Sequence, residues 1–303
     1  MEFNSVVEVQ EKLESQKYIS SREIATVVFL AVAMEKPILV EGPAGVGKTE
    51  LAKSIAKALS RPLIRMQCYE GLDESKALYE WEYAKQLLYT QMLKEKINDI
   101  VSETATLADA VDEIANHEDA FFSERFIQTR PLLTAIKSEE PVVLLVDEID
   151  KSDPEFEAFL LELLSDFQIS IPEIGTMTAR TKPIVFLTSN NYRDMSDALK
   201  RRCIHLFIDY PDIETEMDIV RIRLPEIEDA LLEKVVTLVS RIREMDLKKK
   251  PCISETIDWA KALITLQVDD LTPEIVTSTL NPLLKYKADY ELVKQNIATL
   301  IPA

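Results

Sequence analysis

Apolar residues fall along this chain in two kinds of pattern. Short unbroken runs occur at Ile38-Leu39-Val40, Val142-Val143-Leu144-Leu145-Val146 and Ile184-Val185-Phe186-Leu187. They have the length and β-branched content of strands buried on both faces, as in a parallel sheet. Ile204 to Ile208 reads as another strand. The second pattern is helical: Leu51, Ile55, Ala58 and Leu59 recur at helical spacing directly after the first run. The order strand, loop, helix and further strands predicts an α/β fold with a parallel central sheet over residues 1–210.

Beyond Tyr210-Pro211 the strand patterns stop. Residues 212–223, 228–246, 254–267, 272–284 and 287–299 all read as helices, with Asp212, Ser254 and Thr272 as caps, so 211–303 is expected to form a small helical lid. Within the first part, 67–140 is a long excursion between two strands and is expected to hold a helical insertion. Asp73 caps a helix there with the apolar stripe Leu78, Trp81, Ala84, Leu88 and Met92, and Leu107, Val111 and Ile114 mark a second helix. The insertion reads either as a packed structure with a solvated acidic face or as a partner-recognition element. Alternation around a Pro/Gly turn predicts a β-hairpin within 168–182. The Ile174 and Met177 side chains are expected at its exposed tip. The basic run Lys248-Lys249-Lys250 reads as a solvated turn.

The glycines change the picture from fold to chemistry. The chain has only five, at 42, 45, 47, 71 and 175, and three fall in Gly42-Pro43-Ala44-Gly45-Val46-Gly47-Lys48-Thr49. A random chain of this length matches that pattern about one time in a hundred. Glycines let the backbone wrap close to a phosphate with its N–H groups inward. Lys48 supplies a point charge to the β- and γ-phosphates, and the Thr49 hydroxyl is placed to ligate Mg.

A second run ends in Asp147-Glu148, at the carboxyl end of a strand, where open α/β sheets bind ligands. Asp147 is placed to hold Mg through water, and Glu148 to polarise the water attacking the γ-phosphate. A helix-start cluster is the bland reading of these acids, and the phosphate loop makes it the weaker one. Asn190, after the third run, reads either as a turn asparagine or as a hydrogen-bond partner of the attacking water or γ-phosphate. Lys200-Arg201-Arg202 reads equally as charge complementing a helix end or as an arginine finger reaching a neighbouring subunit's ATP.

Composition narrows the options. The chain has 303 residues, 47% of them hydrophobic and 29% charged, which excludes disorder throughout. A net charge of −18 repels nucleic acid, and the two histidines rule out a histidine-rich metal site. No apolar run reaches the ~18 residues of a membrane span. The first residues do not have the pattern of a secretory signal, and Cys68, Cys203 and Cys252 read as reduced thiols of a cytoplasmic protein.

These elements in this order resemble the AAA+ ATPases, over nearly the whole chain. The resemblance makes Gly42 to Thr49 the Walker A loop, with Glu50 beside it in the nucleotide-binding stretch, and Asp147-Glu148 the Walker B pair. Asn190 matches sensor 1 and Arg202 the finger. A hairpin before sensor 1 resembles the MoxR branch. The strings Gln67-Cys68-Tyr69-Glu70-Gly71-Leu72-Asp73, Ala77-Leu78-Tyr79-Glu80-Trp81, Arg130-Pro131-Leu132-Leu133 and Ile208-Asp209-Tyr210-Pro211 look like its CoxD-type members. The resemblance implies ATP and Mg as cofactors, a ring of subunits such as a hexamer, and a protein client. For the CoxD type that client is a molybdenum-containing hydroxylase under maturation. Two departures stand out: Cys203 rather than Phe follows the finger, and Ile253 to Trp259, where a sensor 2 arginine is expected, contains none.

Overall fold

The computed structural model describes residues 2–92, 124–171 and 175–301. Two helices, α1 (Val6–Ser15) and α2 (Arg22–Ala33), lead into strand β1 (Ile38–Glu41). Helix α3 (Lys48–Ala58) and strand β2 (Leu63–Gln67) follow. The sheet is completed by β5 (Val143–Asp147), β8 (Ile184–Ser189) and β9 (Ile204–Phe207), in the order β2-β5-β8-β1-β9, every pair parallel.

Because successive strand residues point to opposite faces, an unbroken apolar strand feeds two cores. Val143 and Leu145 join Leu51, Ile55, Val28 and Leu13 on one face of the sheet. Leu144 and Val146 join Leu132, Leu160 and Leu163 on the other. Those last residues belong to α6 (Pro131–Lys137) and α7 (Pro154–Asp166). Register brings Gln67 opposite Asp147 and Val146 opposite Leu187, so β2, β5 and β8 end together at one edge.

Between β2 and β5 the structure departs from a single capped helix. Asp73 does cap a helix, accepting from the Lys76 backbone N–H at 2.8 Å, but α4 (Glu74–Leu78) ends after five residues. The chain then enters β3 (Tyr79–Trp81), antiparallel to β4 (Ile127–Thr129). Tyrosine and tryptophan favour a pleated strand over a helix, and here a partner strand is present. Helix α5 (Tyr83–Met92) resumes afterwards, and its Leu88 and Met92 are exposed rather than part of a buried stripe. The expected second helix at 107–114 lies outside the described residues.

The hairpin pairs β6 (Gln168–Ile171) with β7 (Gly175–Thr178). Met177 sits opposite Ile169 and packs against the core, so it is not at an exposed tip; Pro172 to Ile174 lie outside the described residues.

After α8 (Asp197–Arg202) and β9, five helices follow: α9 (Ile213–Arg223), α10 (Asp229–Glu244), α11 (Ile253–Thr265), α12 (Pro273–Thr279) and α13 (Lys287–Leu300). They enclose their own core around Trp259, whose indole N–H donates to Thr279 Oγ1 at 3.0 Å. A buried Arg243–Glu216 ion pair, with Thr256 Oγ1 donating to Glu216 at 2.8 Å, ties α9, α10 and α11 together.

Two boundaries differ from the sequence pattern. The cap of α11 is Cys252, not Ser254, because Glu255 reaches back to the Cys252 backbone N–H at 2.9 Å in a capping box. Helix α12 stops at Thr279, since Pro282 disfavours helical geometry in the residue before it. The lysine run is exposed but anchored, with the Lys248 and Lys249 backbone N–H groups donating to Asp289. Among the described residues no helix is long and apolar enough to cross a membrane.

Candidate functional site

The loop between β1 and α3 is built on glycines at positive φ: Gly42 at 149°, Gly45 at 77° and Gly47 at 100°. Gly42 and Gly45 also have no room for a side chain. A Cβ on Gly42 would overlap the Ile208 carbonyl, and one on Gly45 would overlap Cys252 at the start of α11. Gly47 is the N-cap of α3, so the helix N-terminus opens toward the loop, as anion binding requires.

Lys48 is 5% exposed, and its ammonium donates to the carbonyls of Gly42 (2.8 Å) and Pro43 (2.6 Å) and to Asn190 Oδ1 (2.8 Å). Burial lowers its pKa to about 8, although Asp150, Asp147 and Glu148 pull the other way.

Asp147, at the end of β5, is saturated by donors. Oδ1 accepts from Thr49 Oγ1 (3.0 Å) and Thr188 Oγ1 (2.5 Å), and Oδ2 accepts from Arg65 Nη2 (2.6 Å) and Nε (3.1 Å). A threonine hydroxyl beside one carboxylate oxygen is a hard, oxygen-only donor pair of the kind that suits Mg2+. Glu148 is held in the left-handed region at φ 56°. Its backbone N–H donates to Thr188 Oγ1 (2.9 Å), and its carboxylate accepts from Asn190 Nδ2 (3.2 Å), Gln67 Nε2 (2.8 Å) and Lys151 Nζ (2.6 Å). Asn190 therefore bridges Lys48 and Glu148. Its own backbone N–H donates to the buried Asp150 (3.0 Å), as does that of Tyr192 (2.9 Å).

Lys48, Thr49, Asp147, Glu148 and Asn190 line one cavity of about 520 Å³, whose far wall comes from α9 and α11 through Ile219, Arg223, Ile253 and Ile257. Glu50 lines it too and accepts from Arg223 at 3.1 Å, linking the loop helix to α9. Arg202 does not line it. That guanidinium donates to Ser165 Oγ (2.6 Å) and the Ala198 carbonyl (3.1 Å), and Arg201 beside it is exposed.

Sequence reasoning missed Tyr18, Arg65, Thr188 and Arg223. Each is an ordinary residue in its local pattern and reaches the site only through strand order or through the approach of the C-terminal helices. Tyr18 is buried against the cavity, and burial pushes its hydroxyl pKa up. A signal existed only for Thr188, which sits one strand over from Asp147 once β8 is placed beside β5.

Comparison with known proteins gives this arrangement a family. The family described as "ATPase family associated with various cellular activities (AAA)" matches residues 38–210, more than half of the chain. The chain belongs to that family. Among relatives of this AAA protein, a gas vesicle ATPase, GvpN, from Haloferax mediterranei is 26% identical over 254 residues, 80% of this chain and 65% of that one. The alignment thus spans slightly less than two thirds of that relative's length. An uncharacterized protein of Staphylococcus haemolyticus is 25% identical over 240 residues, 77% of each chain. Among solved structures, a mutant of Thermotoga maritima RuvB matches with a TM-score of 0.51 at 19% identity, over 98% of this chain and 78% of that one; this shows the shared fold. Membership of that ATPase family makes this chain an ATPase.

Proposed function

We propose that this AAA protein is an Mg-dependent ATPase that works in a ring of its own copies, such as a hexamer, and uses hydrolysis to remodel a protein client. The observation that carries the chemistry is the convergence of Lys48, Thr49, Asp147, Glu148 and Asn190 on one cavity. Backbone N–H groups of the loop from Gly42 to Thr49 and the Lys48 ammonium cradle the phosphates. Thr49 and Asp147 would hold the Mg2+ ion, which would supply positive charge to the phosphates. Glu148 takes the proton of the attacking water, and Asn190 holds that water in line. Arg202, turned away from its own chain's cavity, is the finger for a neighbour's nucleotide.

The helices of 211–303 serve as the lid over the nucleotide. Their α11 start carries no arginine in the sensor 2 position, so nucleotide sensing falls to other lid residues lining the cavity. The net charge of −18 favours a protein client over nucleic acid. Maturation of a molybdenum-containing hydroxylase is the client role implied by the CoxD-type strings. A protein client captured by a Glu148→Gln variant in the presence of ATP, and released by ADP, tests the remodelling reading. No ATP-dependent client in that trap sinks it.

A second reading, an assembly switch with little turnover of its own, is favoured by one observation: Glu148 accepts from Gln67, Asn190 and Lys151 at once. Turnover that stays negligible with the client present would favour this reading.

A further inference from the structure

The segment that follows Glu148 grips the loop that follows β8. Asp150 Oδ2 accepts from the backbone N–H groups of Asn190 and Tyr192 at the start of that loop. Glu157, in the first turn of α7, takes its far end: Oε2 accepts from Arg193 Nη1 at 2.8 Å and Oε1 from the Ser196 N–H at 2.7 Å. Arg193 adds a cross-tie through Nε to the Ser152 carbonyl at 3.1 Å. Glu157 is 3% exposed and has both oxygens engaged, as burial of a charge requires. Ser196 is the N-cap of α8, its Oγ accepting from the Leu199 N–H at 3.2 Å, and Arg202 is the last residue of that helix.

Helix α8 thus rests on α7 at three points. At its start the Ser196 N–H meets Glu157; midway, Leu199 is buried in one core with Leu160 and Leu164; at its end Arg202 Nε donates to Ser165 Oγ at 2.6 Å. Apolar packing is non-directional. The Ser165 contact is made by the finger itself and breaks when that guanidinium reaches another molecule. The Glu157 contact is directional and does not involve the finger. We propose that Glu157 is a positioning residue that sets the angle of α8, and so the place at which Arg202 is offered to a neighbouring copy. This rests on the finger reading of Arg202 given above. Glu157 does not line the cavity of its own chain, so its effect is felt at the neighbour's nucleotide.

The test sorts variants by complementation. Glu157→Gln keeps the shape but replaces one acceptor by an NH2 group, so either Arg193 or the Ser196 N–H loses its partner. Calorimetric ATP binding should stay within about twofold of wild type while turnover falls by about 10- to 100-fold, the scale of a group displaced by about 1 Å. Mixed with Glu148→Gln, it should regain turnover, because those copies bring a well-placed finger to its intact cavities. Mixed with Arg202→Ala it should regain none, since neither copy then has a finger in place. Arg193→Met should fall in the same class, and it carries the test if thermal melting shows Glu157→Gln to be unfolded. Wild-type turnover in a folded Glu157→Gln, rescue by Arg202→Ala, or no rescue by Glu148→Gln overturns the role of Glu157. Arg202→Ala mixed with Glu148→Gln is the control for the finger: no rescue there, with subunit exchange verified, sinks the trans reading itself and the role of Glu157 with it.

Discussion

The Lys48 ammonium and the Asn190 amide oxygen stand 2.8 Å apart, and the NH2 of the same amide lies 3.2 Å from a Glu148 oxygen. One neutral side chain thus stands between the buried ammonium and the Glu148 carboxylate and bonds to both. Replacing Asn190 with alanine should leave ATP affinity within a few-fold of wild type while turnover falls by about 10- to 100-fold, the scale of losing one aligned dipole. Steady-state kinetics beside calorimetric ATP binding separates the two. A loss confined to binding would place Asn190 with the phosphate cradle instead.

Glu148→Gln should bind ATP normally and lose turnover by about 10²- to 10⁴-fold, because a carboxamide cannot take the water's proton. Lys48→Ala should instead fail at binding. Lys48 is 5% exposed and lines the cavity, so its loss should remove a charged donor to the phosphates, about 10- to 100-fold in affinity. Equal calorimetric affinity in Lys48→Ala would count against the loop as the phosphate site.

Arg202→Ala should bind ATP and hydrolyse it slowly, by up to about 10³-fold, the effect of a missing finger. Mixed with Glu148→Gln it should regain activity, since some interfaces then carry both intact groups. Absence of rescue across mixing ratios, with subunit exchange verified, transfers the role to Arg201 or removes it.

Much of this site is legible in the sequence because its parts are punctuated. Apolar runs end in Gly42, in Asp147-Glu148 and in Asn190, so each chemical residue sits at the end of a strand that announces itself. The contacts of Arg65 are not legible. It is a lone exposed arginine on a short strand, and it meets Asp147, 82 residues away, only because β2 pairs with β5. The helix expected from Asp73 fails for a related reason: residues 79–81 find an antiparallel partner at 127–129 that local periodicity does not reveal. Glu255 as the partner of Cys252 in a capping box is likewise hidden, since cysteine is a poor cap on propensity alone.

Alkaline conditions should weaken the fold through Cys68. Burial pushes its thiol from 9.0 up to about 12, so above pH 9 the unfolded chain releases a proton that the folded chain keeps. The unfolded state then binds fewer protons, and stability falls with rising pH between those two values, by about 1.4 kcal/mol per pH unit for one thiol. Denaturant melts from pH 8 to 11 on wild type and Cys68→Ala check this. The variant is less stable at pH 8 but should have the shallower slope; parallel slopes would remove Cys68 as the cause.

The absence of space at Gly45 has a mechanical consequence. Cys252 rests directly against the loop backbone, at the start of the helix that carries Ile253 and Ile257 into the cavity wall. Two rigid parts in contact with no gap behave as a follower on a cam: a rise of the loop at Gly45 displaces the head of α11, and a fall leaves it unsupported. Phosphates settling into the loop would therefore press on the head of a thirteen-residue helix through touch alone.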